Sequence, residues 1–309
     1  MRNACLSMVY TLAKADPRVV FVGSDLGPSV LSEMKREFPN RFFMEGVSEQ
    51  HIVGFAAGLA IEGFIPYVNT IATFITRRCF EQVALDLCLH NLPVRLIGNG
   101  GGLVYAPLGP THLAIEDMAI MRALPNMTIV SPSDADEMSR FMERSIDIAG
   151  PVYIRLGKGG DPIVSREDTG FEVGKSISLR SGCDILMVST GVMTSRALVA
   201  AEILDRRGIS CGVLHMHTVK PLDHRGLSEH AIAAGLVVTI EEHTLPGGFG
   251  SAVLESLSDN LGQQMPPVER LGIPDTFAAH YGSQDAILES YNLQPEAIAE
   301  AVAEAFTTN

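Results

Sequence analysis

Five short runs rich in β-branched and aliphatic residues recur through the first half of the chain: Val19 to Gly23, Pro66 to Asn69, Val94 to Gly98, Met127 to Val130 and Val152 to Arg155. Helical patterns separate them. This alternation restricts the fold sharply, because strands that alternate with helices line up as a mostly parallel sheet with the helices on its faces. Between Gly157 and Ser181 the rhythm dissolves into Gly, Asp, Pro and charged residues. It restarts with a strand at Asp184 to Ser189, a helix at Ser195 to Arg207 and strands at Cys211 to His215 and Gly235 to Glu241. The spacing predicts an α/β chain of two domains, residues 1–160 and 183–309, joined by a linker at 161–182. A chain of 309 residues can supply two cores.

Composition excludes several classes. A net charge of −13 argues against nucleic acid as a partner, since such proteins present a basic face. No apolar run is long enough to span a bilayer, and the N-terminus enters helical spacing without a signal-peptide pattern, so a cytoplasmic protein with no membrane contact is expected. The five cysteines, Cys5, Cys79, Cys88, Cys183 and Cys211, contain no Cys-x-x-Cys pair, so no disulfide framework and no metal site is expected.

The run Glu45 to Ala60 carries the chemistry. Ser48 stands where a helix cap belongs, Glu49 and Gln50 fill the first turn, and from Ile52 onward nearly every side chain is small or apolar. Glu49 is thus a carboxylate at the mouth of a buried helix. Favourable placement at the positive end of the helix dipole is the purely structural explanation. The Glu-Gln-His triplet opening an Ala/Gly-rich helix resembles the catalytic-glutamate motif of the transketolase family of thiamine diphosphate enzymes, above all its deoxyxylulose-phosphate synthase branch. That resemblance implies a carboxylate hydrogen-bonded to N1′ of the cofactor pyrimidine, where proton sharing helps to remove the C2 proton. His51 is then a structural partner of the motif.

The resemblance extends along the chain. Asp25, in Gly-Ser-Asp-Leu-Gly-Pro-Ser directly after a strand, resembles a family segment that organises the subunit interface around the cofactor. Thr73-Phe-Ile-Thr-Arg-Arg-Cys-Phe80 is similar to an element whose aromatic stacks on the aminopyrimidine. This implies that Phe74 is the stacking ring, that Phe80 is the second aromatic, and that Arg77 is either a phosphate contact or a surface salt bridge. Gly109-Pro-Thr-His112 resembles the segment whose histidine approaches substrate, which makes His112 the second catalytic candidate. The family aspartate and an earlier histidine of that loop are here Leu108 and Gly100, so the usual readers of a sugar hydroxyl are missing. Arg155 and Lys158, in Tyr-Ile-Arg-Leu-Gly-Lys-Gly, resemble a basic segment and imply a substrate phosphate clamp. Val219 to Asp223, Glu241 to Ser251 and Leu271 to Asp275 resemble, in order and spacing, the family's C-terminal domain, chiefly a dimerisation unit. Its Gly247-Gly-Phe-Gly250 turn suits close backbone packing or an anion at a helix N-terminus.

The chain contains no Gly-Asp-Gly, the family's motif for magnesium and diphosphate. The resemblance therefore implies a pyrimidine-binding subunit of a split transketolase, completed by a partner that brings Mg2+ and the diphosphate site, in an α2β2 assembly acting on sugar phosphates. The alternatives are the β subunit of a 2-oxoacid dehydrogenase-like oxidoreductase, half of a split deoxyxylulose-phosphate synthase, and a non-catalytic scaffold. Leu108 and Gly100 favour a modified sugar over ordinary pentose and hexose phosphates.

Overall fold

The computed structural model describes residues 1–309 apart from residues 27, 28, 158 and 309. Among the described residues twelve strands run in chain order: β1 Val19–Gly23, β2 Phe42–Met44, β3 Ile65–Ile71, β4 Arg95–Asn99, β5 Thr128–Val130, β6 Val152–Leu156, β7 Ile177–Arg180, β8 Ile185–Ser189, β9 Cys211–His215, β10 Thr218–Lys220, β11 Leu236–Thr244 and β12 Val268–Ile273. They form a seven-stranded sheet, β10-β5-β6-β4-β3-β1-β2, and a five-stranded sheet, β12-β11-β8-β9-β7. Each sheet is parallel except for one edge strand, β10 against β5 and β7 against β9. Helices cover both faces, so β1, β4, β6, β8 and β9 are buried at every residue. This is why they read as continuous apolar runs rather than alternating ones.

None of the four edge strands, β2, β7, β10 and β12, was visible as a strand in the sequence. Thr218–Lys220 leaves the C-terminal half to pair with β5, which covers an otherwise open edge of the first sheet. Lys220 then donates from Nζ to the carbonyls of Arg122 and Leu124, at 2.9 and 2.6 Å. The segment expected to be a linker is stitched down and ends in β7. Asp134 caps the helix Ala135–Ser145 by accepting from the N–H of Asp136 and Glu137, and its carboxylate also takes the N–H of Val164 and Ser165. Phe171 stacks on His217 with ring centroids 3.9 Å apart. Burial pushes the His217 imidazole down to about 3, so at neutral pH it packs as an uncharged ring.

The domains are joined by buried charge. Glu137, on the Ala135–Ser145 helix, accepts from His215 Nε2 at 2.8 Å through Oε2, which also takes the Ser133 N–H. His215 Nδ1 meets the Thr194 hydroxyl at 2.8 Å. Serine or threonine, histidine and a carboxylate in line is the order of a nucleophilic triad, but all three are essentially without solvent contact, so the arrangement is a fastening rather than a site. Burial alone would raise the Glu137 carboxyl; the charge and hydrogen bond of His215 bring it instead from 4.5 to about 2.

A group whose folded pKa is depressed stabilises fully above its unfolded pKa and loses that contribution as pH falls toward the folded one. Glu137 therefore contributes above about pH 4.5 and progressively less toward pH 2. Glu137→Gln is expected to lower stability at pH 7 by about 3 kcal/mol, the usual scale for breaking one side of a buried pair. It should also flatten the loss between pH 5 and pH 3 relative to the unmodified chain, measured by urea unfolding at each pH.

Candidate active site

The helix Glu49–Ile61 places Glu49 in its first turn, with the carboxylate only 3% exposed. Ser48 occupies the N-cap position but does not cap; its hydroxyl donates back to the Glu45 carbonyl. Against this helix lies the short helix Ala72–Thr76, which ends at once in a turn through Arg77, Arg78 and Cys79. A cleft of about 680 Å³ opens there, lined by Thr73, Phe74, Arg77, Arg78, Pro110, Thr111 and Phe277.

Helical spacing puts Arg77 near the Phe74 face, and its backbone is still helical, with its N–H on the Thr73 carbonyl, yet the cation over the Phe74 ring is Arg78. Arg77 instead pairs with Glu116, Nε to Oε1 at 2.9 Å, and donates to the Thr111 carbonyl. Its salt-bridge reading is thus realised at the cleft wall. Arg78, which the sequence did not single out, donates from Nη1 to Glu49 Oε2 at 2.6 Å and stacks its guanidinium 4.2 Å from the centre of the Phe74 ring. His112 also meets the Phe74 ring, centroids 5.2 Å apart in an edge-to-face pair, with its Nδ1 on the Thr111 hydroxyl at 2.9 Å. Glu49, Phe74 and His112 are thus linked through Arg78 and the Phe74 ring.

The cleft suits a flat heteroaromatic ring. Phe74 offers a π-face, the buried Glu49 carboxylate offers an acceptor beside it, and a planar N–H-bearing cation of this chain already stands between them. The Thr73 hydroxyl lies buried on the cleft wall without a hydrogen-bond partner among the described residues. Thiamine diphosphate presents such a ring, and Glu49, Phe74 and Thr73 are the residues that fit it.

Other expected site residues lie elsewhere. Phe80 begins the next helical turn, exposed, and is not among the residues lining this cleft; an aromatic that does line it, Phe277, comes from the C-terminal half. No sequence signal marked Phe277, because its approach depends on how the two halves pack. Arg155 is buried and pairs with Asp117, Nε to Oδ2 at 2.8 Å, while its Nη2 donates to the carbonyls of Ala114 and Glu242. It braces the junction and is no phosphate clamp. Lys158 lies outside the described residues. Asp25 sits exposed at the C-terminal edge of β1, held by the Ser24 hydroxyl at 2.9 Å, and does not reach the cleft. The anion at the N-terminus of the helix Phe249–Leu261 proves to be internal: Glu241 accepts from the N–H of Phe249 and Gly250, at 2.6 and 2.8 Å. Burial pushes this carboxyl up to about 7, partly offset by those two N–H groups.

The loop carrying His112 is held from both halves. Gly102 and Ala114 pair across its base, and Glu242 accepts the Leu103 N–H at 2.9 Å. Gly100 has φ +72, and a Cβ there would stand 2.2 Å from the Tyr105 ring. Tyr105 therefore fills the space above Gly100, a group that sequence comparison alone could not place. Among the described residues no cluster of His, Cys, Asp and Glu could hold a metal ion.

Two family profiles match the chain: "Transketolase, pyrimidine binding domain" over residues 1–160 and "Transketolase, C-terminal domain" over residues 174–298. The chain belongs to the transketolase family. A 6-deoxy-6-sulfo-D-fructose transketolase subunit, SqwH, from Clostridium sp. (strain MSTE9) is 34% identical over 305 residues, which covers 98% of this chain and 94% of the relative. The 1-deoxy-D-xylulose-5-phosphate synthase of Microcystis aeruginosa is 38% identical over 300 residues; there the chain spans 46% of the relative's length. Among solved structures, a split gene transketolase described as an inactive β4 tetramer superimposes with a TM-score of 0.90 at 38% identity, covering 99% of this chain and 98% of that one.

Restoring the family histidine at Gly100 is expected to fail sterically. Gly100→His adds a left-handed backbone penalty and a clash with Tyr105, together about 2 kcal/mol or more. Thermal unfolding should show the loss, and combining Gly100→His with Tyr105→Ala should recover part of it.

Proposed function

We propose that this chain is the pyrimidine-binding subunit of a split, thiamine diphosphate-dependent transketolase-type enzyme that moves a two-carbon ketol unit from a ketose to an aldehyde. The observation that carries the reading is the buried Glu49 carboxylate joined to the Phe74 ring by a planar guanidinium that donates to one and stacks on the other, with His112 in edge-to-face contact with the same ring. Near full-length similarity to a chain named as a transketolase subunit supports it. The partner subunit supplies Mg2+ and the diphosphate contacts, and the two chains assemble as α2β2 with self-association through the C-terminal domain. Cytoplasmic residence belongs to the same proposal and suits five unpaired cysteines.

Bound, thiamine diphosphate supplies the carbon nucleophile. Glu49 would hold a hydrogen bond to the protonated N1′ and exchange that proton, in a setting from which water is largely excluded. Phe74 fixes the ring plane, and His112 stands where it can move a proton at a substrate oxygen. Arg77, at the cleft wall, would meet the anionic end of a substrate by giving up part of its hold on Glu116. A 6-deoxy-6-sulfo sugar, the class named for the Clostridium relative, is a ketose with such an end.

Glu49→Gln in the complex reconstituted with its partner is expected to reduce turnover on the order of a thousandfold or more while leaving assembly intact, because an amide cannot exchange the N1′ proton. Exchange of the cofactor C2 proton followed by NMR checks this; fast exchange in the variant would refute the assignment.

A panel of donors and acceptors tests the substrate class. Modified ketoses with an anionic terminus are expected to exceed xylulose 5-phosphate in kcat/KM. The synthase reading remains the second one, since the Microcystis enzyme is slightly more identical over the shared part. Decarboxylation of pyruvate by the reconstituted pair, absent from the transketolase reading, separates the two.

A further inference from the structure

Glu49 is not open to the cleft, because Arg78 stands in front of it. The guanidinium donates to Glu49 Oε2 and lies flat over Phe74, 4.2 Å from the ring centre. A guanidinium is a rigid plane with N–H donors in that plane and a delocalised charge spread across its faces. An aminopyrimidine protonated at N1′ has the same description: a plane, an in-plane N–H, and a face that stacks on an aromatic. Two such groups need the same carboxylate oxygen and the same π-face, so they exclude each other.

We propose that Arg78 is an internal plug that occupies the pyrimidine slot of the unpartnered chain, and that cofactor binding requires its guanidinium to leave Glu49 and Phe74. The inference rests on the thiamine reading above. Three observations support a plug that moves rather than a fixed brace. The Arg78 side chain is 44% exposed although the carboxylate it holds is 3% exposed, so its way out leads into the cleft. Its backbone is held independently, by Gln50 Nε2 donating to the Arg78 carbonyl at 3.1 Å, so the side chain can swing without unravelling the turn. Arg77, its neighbour, is committed to Glu116 and Thr111 and cannot replace it on Glu49.

The arrangement has a physical purpose. An empty slot would leave a carboxylate buried without a counter-charge, which is costly; the plug supplies that charge until a ligand arrives. The free chain then exists mainly closed, and its apparent affinity falls by the closed fraction. A partner that grips the other end of the cofactor supplies the binding free energy needed to displace the plug.

The test titrates thiamine, which lacks the diphosphate and so needs nothing from the partner, into the isolated full-length chain by calorimetry. Arg78→Ala is expected to bind thiamine at least tenfold more tightly than the unmodified chain. Methylguanidinium should compete with thiamine in Arg78→Ala and leave binding by the unmodified chain unchanged, a response that a merely structural arginine would not give. Arg78→Met keeps the aliphatic stem and should behave like Arg78→Ala, which guards against a variant that folds poorly. Equal or weaker thiamine binding by both folded variants, with thiamine diphosphate still bound by the reconstituted complex, overturns the plug and spares the functional reading. Failure of the reconstituted complex to bind thiamine diphosphate overturns both.

Discussion

The arrangement of the candidate site depends on one buried ion pair, Arg155 with Asp117, at the junction of the two sheets. Arg155 comes from the end of β6 and Asp117 from the start of the helix Asp117–Arg122. Desolvating two charges costs several kcal/mol each, so such a pair persists only where further donors and acceptors complete it. Here Tyr153 donates its hydroxyl to Asp117 at 2.7 Å, and Arg155 extends to the carbonyls of Ala114 and Glu242. Ala114 in turn closes the loop that carries His112, and the Glu242 side chain holds the same loop at Leu103. The position of His112 beside Phe74 is therefore set by charges that never touch the cleft.

The same economy explains why the C-terminal half takes part in the site. Gln284 donates to Glu242 at 2.7 Å, which fastens the start of the helix Gln284–Ser290 to the junction. The segment just before that helix brings Phe277 to the cleft and lays Tyr281 against Gly109. A half that resembles an assembly module thus also shapes the entrance through which a substrate would pass. Acidic groups dominate the interior of this junction, and burial raises Glu242 and Glu116 above the usual carboxylate range, with Arg155 and Arg77 pulling the other way. Cations at the site are consequently committed: Arg155 to the junction, Arg77 to Glu116, and Arg78 to Glu49.

Much of this was legible without coordinates. Val19 to Gly23 and Cys211 to His215 were read at their observed bounds, because buried parallel strands leave continuous apolar runs between turn signals. Motif spacing grouped Glu49, Phe74 and His112, and the structure links them through Arg78 and the Phe74 ring. The short strands were not: Phe42–Met44, Thr218–Lys220 and Val268–Ile273 carry too few residues, or too mixed a burial, to stand out from their surroundings. Arg77 shows the limit of helical spacing: its backbone is helical, but Glu116, brought up by tertiary packing, decides where its guanidinium goes.

By itself, then, the sequence determined the alternation of strands and helices, the buried helix with a carboxylate at its mouth, and the family whose motifs these are. Those features are local, since periodicity and short motifs depend on neighbours along the chain. Tertiary structure alone decided that Arg78 meets Glu49, that Phe277 lines the cleft, that Tyr105 fills the space over Gly100, and that Arg155 is a brace. Each of those outcomes depends on groups brought together across a turn or between the two halves. Burial and partnership, not residue type, then set what a charge can do.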